Sequence, residues 1–390
     1  MKKVAAILMI LAMMFSLFAC KPRDDQNLPG SLSDTSSDTV DPFSTNIGST
    51  TIGYWEDDVD HFARKTYEVS YIHNVDAPIH TLMFKCFQNL ESYLNIKTTN
   101  YYNTTGEASV YLGLFETAIA EGTDGIICDM VYGHHVRIME MLDEAGVPYI
   151  GLFNTARDEE SRAVAPTVAM DHYLAGAKQV EFLHEVYREY WGDIDPSEIA
   201  CMVIANFSNS EFITRQQGIE DKFAELYPEN TLVIGDINVA LSGGGASYST
   251  GDVVMWHFMP FYPDVKYWFV ACVGDYASGA AMWCKQFGRR DTILITGTGP
   301  DMPPSEWDNE EYYGNWISNY AVSNYEYAIP AMCGLIAMMD GRADKDTLWQ
   351  ELRTDDDICT RYFADGRMVT RENYKDMEQV VLDKYGIVEH

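Results

Sequence analysis

The sequence predicts an α/β protein of two doubly wound, Rossmann-like lobes, their parallel sheets covered by helices and joined by hinge strands. Three observations predict it. Strand-like runs alternate with helical patterns along most of the chain, and such alternation builds parallel sheets with helices on both faces. Runs such as "GIICDM" and "IACMVIAN" are apolar at nearly every position, as strands buried on both faces are. From residue 66 onward about 325 residues remain, more than one core supports, so two domains are expected.

The elements follow in order. "YEVSYIH" (Tyr67 to His73) reads as a strand. Asp76 and Pro78 precede a helix whose apolar face is Leu82, Met83, Cys86, Phe87, Leu90 and Leu94, at helical spacing. "GIICDM" and "VPYIGLF" are the next strands, and the helix "VRIMEMLDEAG" between them ends at Gly146. The second half repeats the scheme. Asp171 is placed to cap a helix carrying Leu174, Ala177, Val180, Leu183, Val186 and Tyr190. Strands follow at "IACMVIAN", "TLVIGDINV", "YWFVACV" and "TILITGT", with helices between them. Residues 66–155 with about 324–353 are expected to form the first lobe, and 156–323 with about 354–390 the second. Ligands of open parallel sheets bind beyond the carboxyl ends of the strands, and two lobes can oppose those ends across a cleft.

The amino terminus reads differently. Lys2 and Lys3 precede a run without charge from Val4 to Cys20, shorter than the roughly 20 apolar residues of a membrane span. That is the pattern of a signal peptide, here residues 1–19. Its end, Leu17-Phe18-Ala19-Cys20, resembles the bacterial lipobox, which implies lipidation of Cys20 as the first mature residue and attachment to the bilayer. Residues 20–65 are expected to act as a disordered tether, because a stretch such as "LPGSLSDTSSDTVDPFS" has too little apolar surface to order itself.

Composition excludes some functions. With 59 acidic against 27 basic side chains the formal charge is −32, which repels phosphate backbones, and no basic patch offsets it; no nucleic acid partner is expected. Seven cysteines follow Cys20, an odd number with no C-x-x-C pair, and most fall in apolar runs; buried reduced thiols are expected.

Several phrases, in order, resemble the type I periplasmic binding proteins, the sugar-binding branch of transporter-linked receptors. They are "AIAEGTDGIICDM", "EAGVPYIGLFN", "AMDHYLAGAKQVEFL", "SNSEFITRQQGIEDKF", "YPDVKYWFVACVGDYASGAAM" and "DGRMVTRENYKDM", together spanning about residues 66 to 380. The resemblance implies two lobes closing on a small polar ligand, most simply a carbohydrate. It places Arg215 at the family's binding arginine before the Gly218 turn, and Asp275 at the N-D loop with Gly274 in place of the asparagine. Asn74 and Asp76 fall in the loop after the first strand, and Asp129 at the end of "GIICD". The pattern departs elsewhere. Phe153 and Asn154 replace the Asp-Arg pair expected after "VPYIGL", Gly299 replaces an aspartate with Asp301 two places on, and Val322 stands roughly where a glutamine is expected. Tyr132, Phe153, Phe207 and Tyr276 follow strands and are placed to stack on a flat ligand face. Neither Arg215 nor Asp275 is expected in the core.

Catalytic and cofactor motifs are missing from the sequence. "SGGGAS" (Ser242 to Ser247) lacks the Gly-Lys-Ser/Thr of a phosphate cradle. His134 and His135 are adjacent, poor spacing for two ligands on one helical face, and His184-Glu185 lacks the second histidine of H-E-x-x-H. No G-x-S-x-G elbow occurs. The expectation is an extracytoplasmic, lipid-anchored solute receptor without cofactor, metal or enzymatic activity, delivering its ligand to an ABC permease. The alternative is a sensory receptor coupled to a membrane kinase or chemoreceptor.

Overall fold

The computed structural model describes residues 59–387, apart from 132, 208–209, 242–249, 275, 300–306, 309–314 and 355. The signal peptide, Cys20, nearly all of the tether and "SGGGAS" lie outside the described residues.

Strands β1 (Tyr67–His73), β2 (Ile96–Tyr102), β3 (Gly125–Asp129), β4 (Tyr149–Leu152) and β5 (Thr167–Met170) enter the first sheet. Strands β6 (Ile199–Ala205), β7 (Leu232–Asp236), β8 (Tyr267–Cys272), β9 (Ile293–Thr298) and β10 (Trp316–Val322) enter the second. β11 (Arg361–Ala364) then returns to the first and β12 (Gly366–Thr370) to the second. The orders are β2-β1-β3-β4-β5-β11 and β7-β6-β8-β9-β10-β12, the same winding twice.

Helices α1 (Pro78–Leu94), α2 (Ala108–Ala120) and α3 (His135–Ala145) belong to the first lobe. The second carries α4 (His172–Trp191), α5 (Ser210–Leu226), the short α6 (Ile237–Ala240), α7 (Thr250–Phe258) and α8 (Ala277–Phe287). α9 (Asn324–Met339) is buried on nearly every side, as its uniformly apolar sequence requires, and packs in the first lobe. α10 (Met377–Tyr385) adds Val381, Leu382 and Tyr385 to the same core. Cys86, Cys128, Cys201, Cys272, Cys284, Cys333 and Cys359 are all buried and free of disulfides.

Sheet membership divides the chain at other points than the sequence suggested. β5 lies in the first sheet beside β4, so the first crossing falls at Asp171 and not near residue 155. Its four residues, "TVAM", are too few for a pattern to assign them to either lobe. The segment after residue 353 is also shared: β11 lies in the first sheet, β12 in the second, and α10 on the first core. β12 corrects the parallel expectation as well. It starts with Gly366 opposite Val322, the carboxyl end of β10, and can only run back along it, antiparallel.

This topology places the site. Met170 to His172, Val322 to Asn324 and Ala364 to Gly366 are the three crossings. Each leaves the carboxyl edge of one sheet and enters the carboxyl edge of the other, so both edges adjoin at the hinge.

The buried face of α4 also differs from the expected one. Leu174 and Tyr190 are 41% and 52% exposed, and Ala175, Gly176, Ala177, Val180, Leu183 and Tyr187 face inward. Small residues, not the largest ones, mark this contact because α5 approaches the α4 backbone directly.

Candidate ligand-binding site

The first-lobe wall is built where β1 and β3 end. Asp129, the last residue of β3, is almost wholly buried. Its Oδ2 accepts from the backbone N–H of Asn74 at 3.3 Å and faces His80 Nε2 at 3.5 Å, while Oδ1 is buried without a hydrogen-bond partner among the described residues. His80 lies in the first turn of α1, and its Nδ1 meets the Tyr71 hydroxyl at 2.6 Å. Burial pushes the Asp129 carboxyl up to about 7 and the His80 imidazole down to about 3. A charge here has little water to solvate it, so both groups are charged over a narrower pH range than in water. Asn74 is held from its other side too, since Asn103 Nδ2 donates to its Oδ1 at 3.0 Å.

A row of rings runs along this edge. His73 stacks on His80 at 4.2 Å between centroids, and Tyr102 stacks on His73 at 5.8 Å. Phe153 stands edge-on to His80 at 5.8 Å and to Tyr327 at 5.0 Å. Phe153 has φ of 65°, a left-handed backbone that bulky residues rarely adopt and that carries strain of about 1–3 kcal/mol. Its N–H donates to the Val168 carbonyl at 2.9 Å, which helps hold the turn. Asn154 follows, partly exposed.

The second-lobe wall starts after β6. Asn206 is buried and donates to the Tyr276 hydroxyl at 2.8 Å, and Phe207 is 44% exposed. Arg215, on α5, is only 5% exposed, which corrects the expectation that it lies outside the core. Its guanidinium donates to the Val273 carbonyl and, at 2.8 Å, to His172 Nδ1, and it lies 3.9 Å from Met170 Sδ. Burial, with Arg215 beside it, holds His172 well below the ordinary imidazole range. Arg215 therefore ties α5 to the end of β8 and to the first crossing.

Of the residues expected at the site, the structure places Asn74, Asp129, Phe153 and Asn154 along the first carboxyl edge, and Phe207 and Arg215 beyond the second. Asp76 is exposed in the loop before α1. Tyr132, Asp275 and Asp301 lie outside the described residues. His73, His80, Tyr102, Asn103 and Asn206 were not anticipated. The available signal was a polar residue closing an apolar strand, present at His73 in "YEVSYIH" and Asn206 in "IACMVIAN". His80 and Asn103 carry no such mark.

Residues 70–332 match the model of the periplasmic binding protein domain, and the chain belongs to that family, whose members bind solutes outside the cytoplasm and are not enzymes. Solved structures share the type I fold. An ABC transporter periplasmic solute binding protein from Actinobacillus succinogenes with bound D-allose is 15% identical, covers 80% of this chain and 100% of its own, and has a TM-score of 0.59. An arabinose binding protein from Geobacillus stearothermophilus is 15% identical over 80% of this chain and 99% of its own, with a TM-score of 0.63. An ABC transporter solute binding protein from Bacillus halodurans with bound myo-inositol is 14% identical over 81% of this chain and 99% of its own, with a TM-score of 0.56. No curated protein sequence matches.

Proposed function

We propose that this protein captures a small, neutral, polyhydroxylated solute, a sugar or a cyclitol, between its lobes and hands it to an ABC permease. The observation that carries the reading is the meeting of both carboxyl edges at the three crossings, with amide side chains Asn74 and Asn154 and rings Phe153 and Phe207 along them. Amides donate and accept, as hydroxyl groups require, and rings cover the C–H faces of a sugar. The solved structures named above hold D-allose and myo-inositol, which supports the same ligand class. Closure about the crossings traps the ligand when the closed form makes the better contacts. Cys20 is the lipid anchor in this reading.

The experiment is a thermal-shift and calorimetric screen with D-allose, D-arabinose, myo-inositol and related compounds. A true ligand at about 100 times its Kd stabilises the fold by about 2.7 kcal/mol. Phe153→Ala is expected to weaken that ligand about tenfold or more. If no polyol or sugar shifts the melting temperature or releases heat, the ligand class is wrong. Cys20→Ala is expected to leave the protein unanchored on cell fractionation; unchanged membrane retention would overturn the anchor.

A further inference from the structure

The Asp129 carboxyl is buried, and among the described residues its Oδ1 has no hydrogen-bond partner. What it touches is the Asn74 segment. The Asn74 N–H points at Oδ2, and the Asn74 side chain is fixed by Asn103. A carboxylate is roughly twice as strong an acceptor as a neutral carboxyl. The Tyr71 hydroxyl and His80 Nδ1 share a 2.6 Å hydrogen bond; where the hydroxyl donates, a neutral His80 carries its proton on Nε2, which faces Oδ2 at 3.5 Å and suits an ionised Asp129. His73 Nδ1 donates to the Val75 carbonyl, which ties the same loop to the ring stacked on His80.

We propose that Asp129 is a positioning residue whose ionised carboxylate holds the Asn74 segment in its ligand-ready place, so that protonation of Asp129 loosens that segment and couples ligand affinity to pH. The ligand half of this rests on the sugar-binding reading; the ordering of the segment does not. The groups facing Asp129 are Tyr71 on β1, His80 on α1, Tyr111 on α2, whose hydroxyl donates to the Asp129 backbone carbonyl, and Cys128 on β3. Burial raises Tyr71, Tyr111 and Cys128 far above neutrality and lowers His80 and His73. These shifts lead away from neutrality, whereas burial brings the Asp129 carboxyl up to about 7.

The test needs no ligand. Hydrogen exchange of the full chain is followed at residues 73–77 from about pH 8 to about pH 6, corrected for intrinsic exchange. Protection of the Asn74 amide is expected to fall about fivefold on acidification, the difference between a charge-assisted and a neutral acceptor. In Asp129→Asn the protection is expected to be low throughout, with no dependence on pH. Difference infrared spectra of wild type against the variant should show a protonated carboxyl band that grows in as the pH falls over the same range. Flat wild-type protection, or an unchanged pH profile in the variant, overturns the proposal. Should the variant fail to fold, the wild-type profile still decides. Once a ligand is in hand, its Kd is expected to rise severalfold on acidification in the wild type alone; a failed sugar screen leaves the exchange result standing.

Discussion

Gly218 of α5 lies directly against the Tyr173 carbonyl of α4: a Cβ on Gly218 would come within 2.0 Å of that oxygen. The contact is reciprocal, since a Cβ on Gly176 would meet the Arg215 carbonyl at 1.9 Å. Backbone cannot give way as a flexible side chain does, so the two helices must separate. Gly218→Ala is expected to lower stability by about 2 kcal/mol or more, through overpacking. Gly113 in α2 supplies the control. None of the described residues comes within 4 Å of its Cβ position, so Gly113→Ala should stabilise by about 0.5–1 kcal/mol through helix propensity. Urea midpoints of the two variants on the same side of wild type would contradict this packing.

The same pair of helices shows what the sequence could disclose. Gly218 is legible in the R-x-x-G pattern, but the burial of Arg215 is not, because an arginine reads as solvent-facing until a carbonyl and an imidazole are brought to it. β3, β4, β6, β8 and β9 are legible because burial on both faces leaves mostly apolar runs. β2 ("IKTTNYY") and β12 ("GRMVT") are edge strands with polar residues and escape that criterion. The His73–His80 stack is invisible in sequence because it forms only when α1 folds back over β1.

Arg215 contributes to folding as well as to the site. Arg215→Ala removes donors from the Val273 carbonyl and from His172. Hydrogen bonds involving a charged group contribute about 1.5–3 kcal/mol, and that loss is expected in the urea midpoint. Arg215→Met should recover part of it, because the aliphatic stem still packs. A wild-type midpoint in Arg215→Ala would mean that the buried guanidinium adds nothing.

Glu378 of α10 caps another helix. It accepts from Ser323 Oγ and, at 3.1 Å, from the Asn324 N–H at the start of α9, where the chain crosses between lobes. Ser323-x-x-Glu326 has the capping-box pattern, yet Glu326 faces Lys384 at 3.4 Å and Glu378 serves the helix end instead. Glu378→Ala is expected to cost about 1–2 kcal/mol, on the scale of a lost cap, and to speed hydrogen exchange at Asn324 and Tyr325. Unchanged exchange there would show that α10 does not secure the second crossing.

The last expectation concerns the pH dependence of stability. In the unfolded chain the carboxyl of Asp129 titrates at 3.8 and the imidazole of His80 at 6.5; in the fold they lie at about 7 and about 3. Between pH 3.8 and 6.5 each state therefore binds one proton on this pair, on the imidazole when unfolded and on the carboxyl when folded. Stability changes with pH only where the two states bind different numbers of protons, so the pair is silent across that window. Above it the fold keeps a proton that the unfolded chain has lost, and the raised carboxyl makes stability fall as pH rises toward about 7. Below it the unfolded chain holds two protons against one, and the depressed imidazole makes stability fall as pH drops toward about 3. Asp129→Asn removes one side of this balance. His80 then acts alone, and the variant should lose stability relative to wild type as pH falls below 6.5. The measurement is the difference in unfolding free energy between wild type and Asp129→Asn across that range, in which the other carboxylates cancel. A difference that stays constant from pH 6.5 down to 3.8 would mean that burial has not moved the proton from His80 to Asp129.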